Sequence, residues 1–200
     1  MTDELRETLL GAAGRLIATE GIAALTVRRI AAEAGSSTMG VYSRFGGKEG
    51  VVDALLYEGF EALRDALTAR PDTDDPFEDM VTGCAAYRDF ARANPTRYQV
   101  MFATPMLGLE ASPASIEMAA ASFACVCAKA QRCLDAGVVA GYAAHEIASS
   151  VWAAAHGLVS LDLLGRRPPV LADDDPYERT IRTLLRGFAP TAPTPRPMSR

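Results

Sequence analysis

The sequence predicts an all-α protein, and three observations carry that prediction. Apolar residues recur at intervals of three and four along most of the 200 residues, the spacing of one helical face. No segment alternates apolar and polar residues as a half-buried strand does. Glycines and proline-bounded polar stretches interrupt the periodicity where helices would end.

The elements follow in order. Leu5–Glu20 predicts a helix with Leu9, Ala12, Ala13, Leu16 and Ile17 on one side, ended by Gly21. Thr26 caps the next, where Val27, Ile30, Ala31 and Ala34 form one apolar face. Gly35 stops it, because glycine takes the left-handed C-terminal conformation without steric cost. Ser36 or Ser37 then caps a short helix carrying Val41, Tyr42 and Phe45. Two short helices around a tight turn make a helix-turn-helix, whose second helix normally enters a DNA major groove. Lys48–Ala69 is a longer helix with Val52, Leu55, Leu56, Phe60, Leu63 and Leu67 as its stripe.

Beyond the polar break Arg70–Pro76 the chain stays helical: Phe77–Ala93, ended at Asn94-Pro95, then Thr96–Ala103, stopped near Pro105. Leu107–Pro113 reads as a loop, Ala114–Ala136 as a helix ended by Gly137, and Tyr142–Leu164 as a helix ended by Gly165. Arg166–Pro176 is a second loop and Tyr177–Phe188 the last helix. Ala189–Arg200 has no apolar periodicity and is expected to be disordered. The division expected is a DNA-binding domain at 1–47, a connecting helix at 48–69, a helical ligand-binding and dimerisation domain at 70–188, and a tail at 189–200.

Composition narrows the function. With 49% hydrophobic and 22% charged residues the chain reads as globular. No apolar run reaches the roughly 18 residues that span a bilayer. The start, MTDELRETLL, is acidic rather than a basic region followed by an apolar core, so a cytoplasmic location is expected. A net charge of −5 argues against non-specific coating of nucleic acid. The local sign is the opposite: between Thr26 and Lys48, Arg28, Arg29, Arg44 and Lys48 face Glu33 alone. That is the sign a focused phosphate-contacting surface needs. The acidic excess lies in Asp72–Asp79 and Asp173–Glu178.

Cys84, Cys125, Cys127 and Cys133 match no paired zinc-site spacing and read as small core residues. The alternative is a redox trigger at Cys125, Cys127 or Cys133; on one helix Cys125 and Cys127 point in different directions and cannot pair. No nucleophile elbow, H-E-x-x-H pair or glycine-rich phosphate loop is present, so neither an enzyme nor a cofactor is expected.

Thr26, Ile30-Ala31, Ala34-Gly35, Ser37, Tyr42, Phe45 and Lys48 resemble, in order and spacing, the N-terminal domain of the tetracycline-repressor (TetR) family. The resemblance covers about the first fifty residues. The chain departs from it at Ser36, where the family has an aliphatic residue, at Gly40, where a threonine often sits, and at Gly46-Gly47, which replaces a more rigid turn. The motif places Ser37, Thr38 and Met39 toward base edges, with Met39 suited to a thymine methyl. The resemblance places the Tyr42 hydroxyl on a backbone phosphate, with a core aromatic as the alternative reading. Thr26 and Lys48 open helices and are candidate phosphate contacts, as are Arg28 and Arg44.

The penultimate helix is apolar on two faces, one through Ala148, Trp152, His156, Val159 and Leu163, the other through Ile147, Val151, Ala154, Leu158 and Leu161. A helix apolar on both sides must be covered on both sides, and a second subunit does so. The resemblance implies the same, a homodimer through the last two helices, 142–164 and 177–188, bound to double-stranded operator DNA as a repressor and released by a small, largely apolar effector. Trp152-Ala-Ala-Ala-His156-Gly157 also resembles the Trp…His-Gly signature of one TetR subgroup. Candidate effector contacts are Tyr87, Tyr98, Met101, Phe102, Met106, Phe123, Trp152 and His156; packing in the core is the alternative for each. His145 is expected on a solvated face.

Overall fold

The structure, a computed structural model, describes residues 4–103, 110–165 and 175–190. Met106, the loop stretches 104–109 and 166–174, and the tail from 191 onward lie outside the described residues. The helices are α1 (Glu4–Glu20), α2 (Val27–Glu33), α3 (Thr38–Phe45), α4 (Lys48–Thr68), α5 (Pro76–Ala93), α6 (Pro95–Ala103), α7 (Pro113–Asp135), α8 (Ala144–Leu163) and α9 (Tyr177–Gly187). Among the described residues there is no strand. One short element escaped the periodicity, a 3₁₀ turn at Ile22–Ala24. Three residues hold too little pattern to be seen in sequence.

The chain forms two compact units, Met1–Ala69 with Asp89–Phe123, and Arg70–Arg88 with Ala124–Arg200. In the first, α1 to α4 close around Leu9, Ile17, Ile30, Val41 and Val51, all fully buried. α6 packs on α4 at Gly59, where a Cβ would stand 2.8 Å from Met101 Cγ. The start of α7 is tied to α4 by Asp53, whose carboxylate accepts from the Ser112 backbone N–H at 2.8 Å.

In the second unit α8 and α9 pack through Ile147, Val151 and Val159 against Ile181 and Leu185, all buried. The Tyr177 hydroxyl, also buried, donates to the Cys84 carbonyl at 2.7 Å. Arg88 stacks over the Tyr177 ring at 4.6 Å and pairs with Asp175 at 2.8 Å. Arg182 joins α9 to α5 through Glu78 and also holds Glu178. Asp75 caps α5, accepting from the Glu78 N–H at 3.0 Å, ahead of Pro76 at the first helical position.

Candidate nucleic-acid interface

The reading helix is positioned by local chemistry at both its ends. Thr26 is extended and accepts the Arg29 N–H at 3.3 Å, which starts α2. At the other end Gly35 takes φ 61°. The Gly35 N–H bonds the Ala32 carbonyl and the Ser36 N–H bonds the Ala31 carbonyl, a Schellman stop. Of the two candidate caps Ser37 is the one used, accepting from the Gly40 N–H at 3.2 Å. α3 ends at Gly46 in the left-handed region, with its N–H on the Tyr42 carbonyl.

Burial then sorts the faces of α3. Val41 is wholly buried, as are Ile30 and Ala31 on the α2 that packs on this helix, and Phe45 is half-buried with the Arg6 guanidinium over its ring. Ser37, Thr38, Met39 and Tyr42 point outward, with Met39 71% and Tyr42 54% exposed. Tyr42 is therefore not a core aromatic. A methionine so exposed is costly in water and informative, since large apolar side chains on a rim of polar ones mark contact surfaces. Thr26, Arg28, Arg44 and Lys48 are exposed as well.

Ion pairing sharpens the local charge. Glu33, the one acid between Thr26 and Lys48, is held by Arg15 at 2.7 Å. Arg29 is drawn to Glu20, and that hydrogen bond lowers the glutamate pKa and raises the arginine pKa. Arg28, Arg44 and Lys48 are exposed around α3, and Lys48 lies 4.0 Å from Glu49.

Two departures from the family pattern prove to be linked. A Cβ at Gly40 would stand 2.8 Å from Ser36 Oγ. The serine hydroxyl occupies the space that a threonine at position 40 would need. A third close approach had no sequence signal: a Cβ at Gly50 would lie 1.9 Å from the Phe45 carbonyl oxygen. Gly50 lets α4 cross the end of α3.

The candidate effector residues fall into two groups. Tyr98 and Met101 are buried in the first unit, and Phe102 lies 4.7 Å from Tyr98 and 6.0 Å from Phe60 between ring centroids. Phe123 is half-buried at the end of that unit. In the second unit the Tyr87 hydroxyl sits 3.0 Å from His156 Nδ1, and the Trp152 ring lies 5.6 Å from the imidazole. Burial lowers the His156 pKa. The ring is then neutral near pH 7, and its tautomer sets whether Nδ1 donates to or accepts from the Tyr87 hydroxyl. His145 is exposed, as expected.

The arrangement of α1 to α4 has counterparts. Residues 9–55 match the family model of bacterial regulatory proteins of the tetR family, and residues 80–184 match that of the tetracyclin repressor-like C-terminal domain. This chain belongs to the TetR family of transcriptional regulators. An HTH-type transcriptional regulator of Mycobacterium tuberculosis is 29% identical over 102 residues, which is 50% of this chain and 44% of that protein. The match thus spans less than half the length of that relative. A protein of unknown function from Rhodococcus sp. RHA1 superposes with a TM-score of 0.79 at 25% identity, covering 94% of this chain and 97% of its own. A tetR-family regulatory protein from Rhodococcus RHA1 superposes with a TM-score of 0.71 at 22% identity, covering 96% and 100%.

Three of the four thiols of this TetR-family regulator are poorly placed for redox chemistry. Burial pushes Cys84 up to about 12, and burial likewise raises Cys127 and Cys133. The reactive species is the thiolate, which these surroundings disfavour. Cys133 instead donates to the Pro76 carbonyl at 3.2 Å, a packing role. No helix among the described residues is long and apolar enough to cross a membrane.

Proposed function

We propose that this regulator is a homodimeric repressor that reads a two-fold operator through α3 and leaves it when a small effector binds. The observation that carries the reading is the outward row Ser37, Thr38, Met39 and Tyr42, backed by buried Val41 and ringed by Arg28, Arg44 and Lys48. Phosphate contacts from Thr26, Tyr42, Lys48 and the two arginines position the helix, and Thr38 and Met39 specify the site. Lys48→Ala should weaken binding to every sequence and lower the salt slope of log K by about one. Thr38→Ala should instead cost about 1–3 kcal/mol of discrimination at one base position. Gel-shift titrations over a salt series and an operator-variant panel measure both. Parental behaviour of both variants would remove these contacts from the reading.

Support for the dimer comes from α8. Ile147, Val151 and Val159 are covered within the chain, but Trp152, Leu161 (47% exposed) and Leu164 (70% exposed) are not. A two-fold mate covers such a face by self-complementarity. Pairing fixes two α3 helices about 34 Å apart, one turn of B-DNA. An effector releases the operator only if it binds better to a different spacing. Tyr87, Trp152 and His156 form the polar and aromatic anchor we favour for it. Leu161→Glu should yield monomers at micromolar concentration in sedimentation velocity. Losing the second half-site should lower operator affinity by about 100-fold or more. A dimeric Leu161→Glu protein with parental affinity would sink the pairing.

A further inference from the structure

A solvent-open cleft of about 580 Å³ lies on the first unit, bounded by α1, α4 and α6. That volume is in the range that holds small ligands. None of the effector candidates considered above lines it. Its apolar floor is Leu10 of α1, Leu55 of α4 and Val100 of α6, side chains buried in the surrounding core. Gly14 forms part of the α1 wall, and a Cβ there would meet no atom within 4 Å.

The polar end has a definite sign. α6 opens there with Pro95 at its first position, and Thr96 and Arg97 also line the cleft. Asn94 turns its side-chain N–H to the Phe90 carbonyl at 3.0 Å instead of capping the helix. Among the described residues no protein acceptor meets the backbone N–H of Thr96 or Arg97. Of the charges around the cleft, Glu58 is held by Arg6 and Arg15 by Glu33, each at 2.7 Å. Glu7 and Arg97 are left. Glu7 lies in the first turn of α1, where the helix dipole already compensates it. Arg97 lies in the first turn of α6, where the dipole adds to its charge. One end of the cleft therefore wants an anion with hydrogen-bond acceptors, and the floor wants hydrocarbon.

We infer that this cleft binds a small organic monocarboxylate, its carboxylate on Arg97 and the start of α6 and its apolar body on Leu10, Leu55 and Val100. A cation is repelled at the same end, and a neutral alcohol leaves the helix donors less well paired. The inference rests on the regulator reading only in treating the occupant as an effector; binding itself stands apart from it.

The test is calorimetric titration of the full chain with octanoate, and with octylammonium and octan-1-ol as probes of equal length. Octanoate should bind and the other two should bind at least about tenfold more weakly, the worth of one charge-assisted hydrogen bond. Arg97→Gln should weaken octanoate by about tenfold. Gly14→Leu should abolish binding by filling the space. Its Cβ meets no atom within 4 Å, its remaining atoms enter the open cleft, and leucine is a better helix former than glycine, so its melting temperature should not fall. No octanoate binding by the parent, equal binding of octylammonium, or undiminished binding by both variants would each overturn the inference. Operator binding by the parent and by Gly14→Leu is measured alongside, without octanoate. A parent that binds octanoate as described but no DNA would sink the regulator reading and uphold this one.

Discussion

Gly50→Ala should destabilise the N-terminal helices by on the order of 3 kcal/mol and abolish operator binding at concentrations where the parent saturates. The added methyl would lie 1.9 Å from the Phe45 carbonyl oxygen and 2.9 Å from its carbonyl carbon. Backbone cannot rotate aside as a side chain can. Either the start of α4 moves off the end of α3, or the turn at Gly46-Gly47 reorganises. Both displace Lys48 and tilt α3, and with it Tyr42 and Arg44, the phosphate contacts proposed above. Gly14→Ala in α1 is the control, because it adds the same methyl where nothing stands within 4 Å. It should stabilise by about 0.5–1 kcal/mol, the helix preference for alanine over glycine. Urea unfolding and gel shifts on the two variants decide the matter. If Gly50→Ala unfolds with the parental midpoint and binds operator normally, the close crossing of α3 and α4 is wrong.

Asp79→Asn should cost the second unit about 2 kcal/mol at neutral pH, and the cost should disappear in acid. Asp79 is only 7% exposed. Burial by itself would raise its carboxyl, but the Arg132 guanidinium at 2.5 Å and the Thr73 N–H and hydroxyl, both at 2.8 Å, outweigh it. The net result holds the pKa at about 2, below the ordinary 3.8. A depressed carboxylate pKa contributes stability that is complete above the unfolded value and is lost as pH falls through the folded one. The gap between parent and variant should therefore be constant above about pH 5 and close between about pH 4 and pH 2. Arg132 also donates to the Thr73 carbonyl at 2.5 Å and Lys129 pairs with Asp72 at 2.7 Å. The network thus fastens the segment before α5 to α7 within this unit. Arg132→Met combined with Asp79→Asn should recover part of the loss, since the single change leaves Arg132 only its longer ion pairing with Asp72 at 3.3 Å. A gap that persists unchanged at the lowest pH where the parent is folded would show that the asparagine acts through packing alone.

Much of the DNA-facing geometry was legible in the residues themselves. Ser37, Thr38 and Met39 outward follow from the helix-turn-helix motif, and in the structure all three are exposed. Thr26 and Gly35 bound α2 as their chemistry requires. The choice between Ser36 and Ser37 as cap was open, because either hydroxyl fits the preference; in the structure the Ser36 N–H closes the Schellman turn and the extended Ser37 accepts the Gly40 N–H. Tyr42 was open between phosphate contact and core for a similar reason. Its exposure depends on which helices lie behind it.

The C-terminal candidates show where reading from sequence stops. Tyr87 and His156 are 69 residues apart and meet at 3.0 Å, and Asp79 and Arg132 are 53 apart and meet at 2.5 Å. No local pattern marks either pair. Tyr98, Met101 and Phe102 share an aromatic and methionine composition with Tyr87 and Trp152, yet the two sets belong to different units. The cleft beside α6 is lined largely by small and charged residues that a search for apolar pockets passes over.

By itself the sequence determined the helical class, the helix-turn-helix and the outward Ser37–Met39 start of α3, because periodicity and capping act within one or two turns of the chain. Only the tertiary structure decided that Gly50 must lack a side chain, that Ser36 and Gly40 share one space, that Asp79 keeps its charge in acid and that α1, α4 and α6 line one open cleft. Each of these depends on atoms brought together from separate elements, where distance in space rather than spacing in sequence sets the energy.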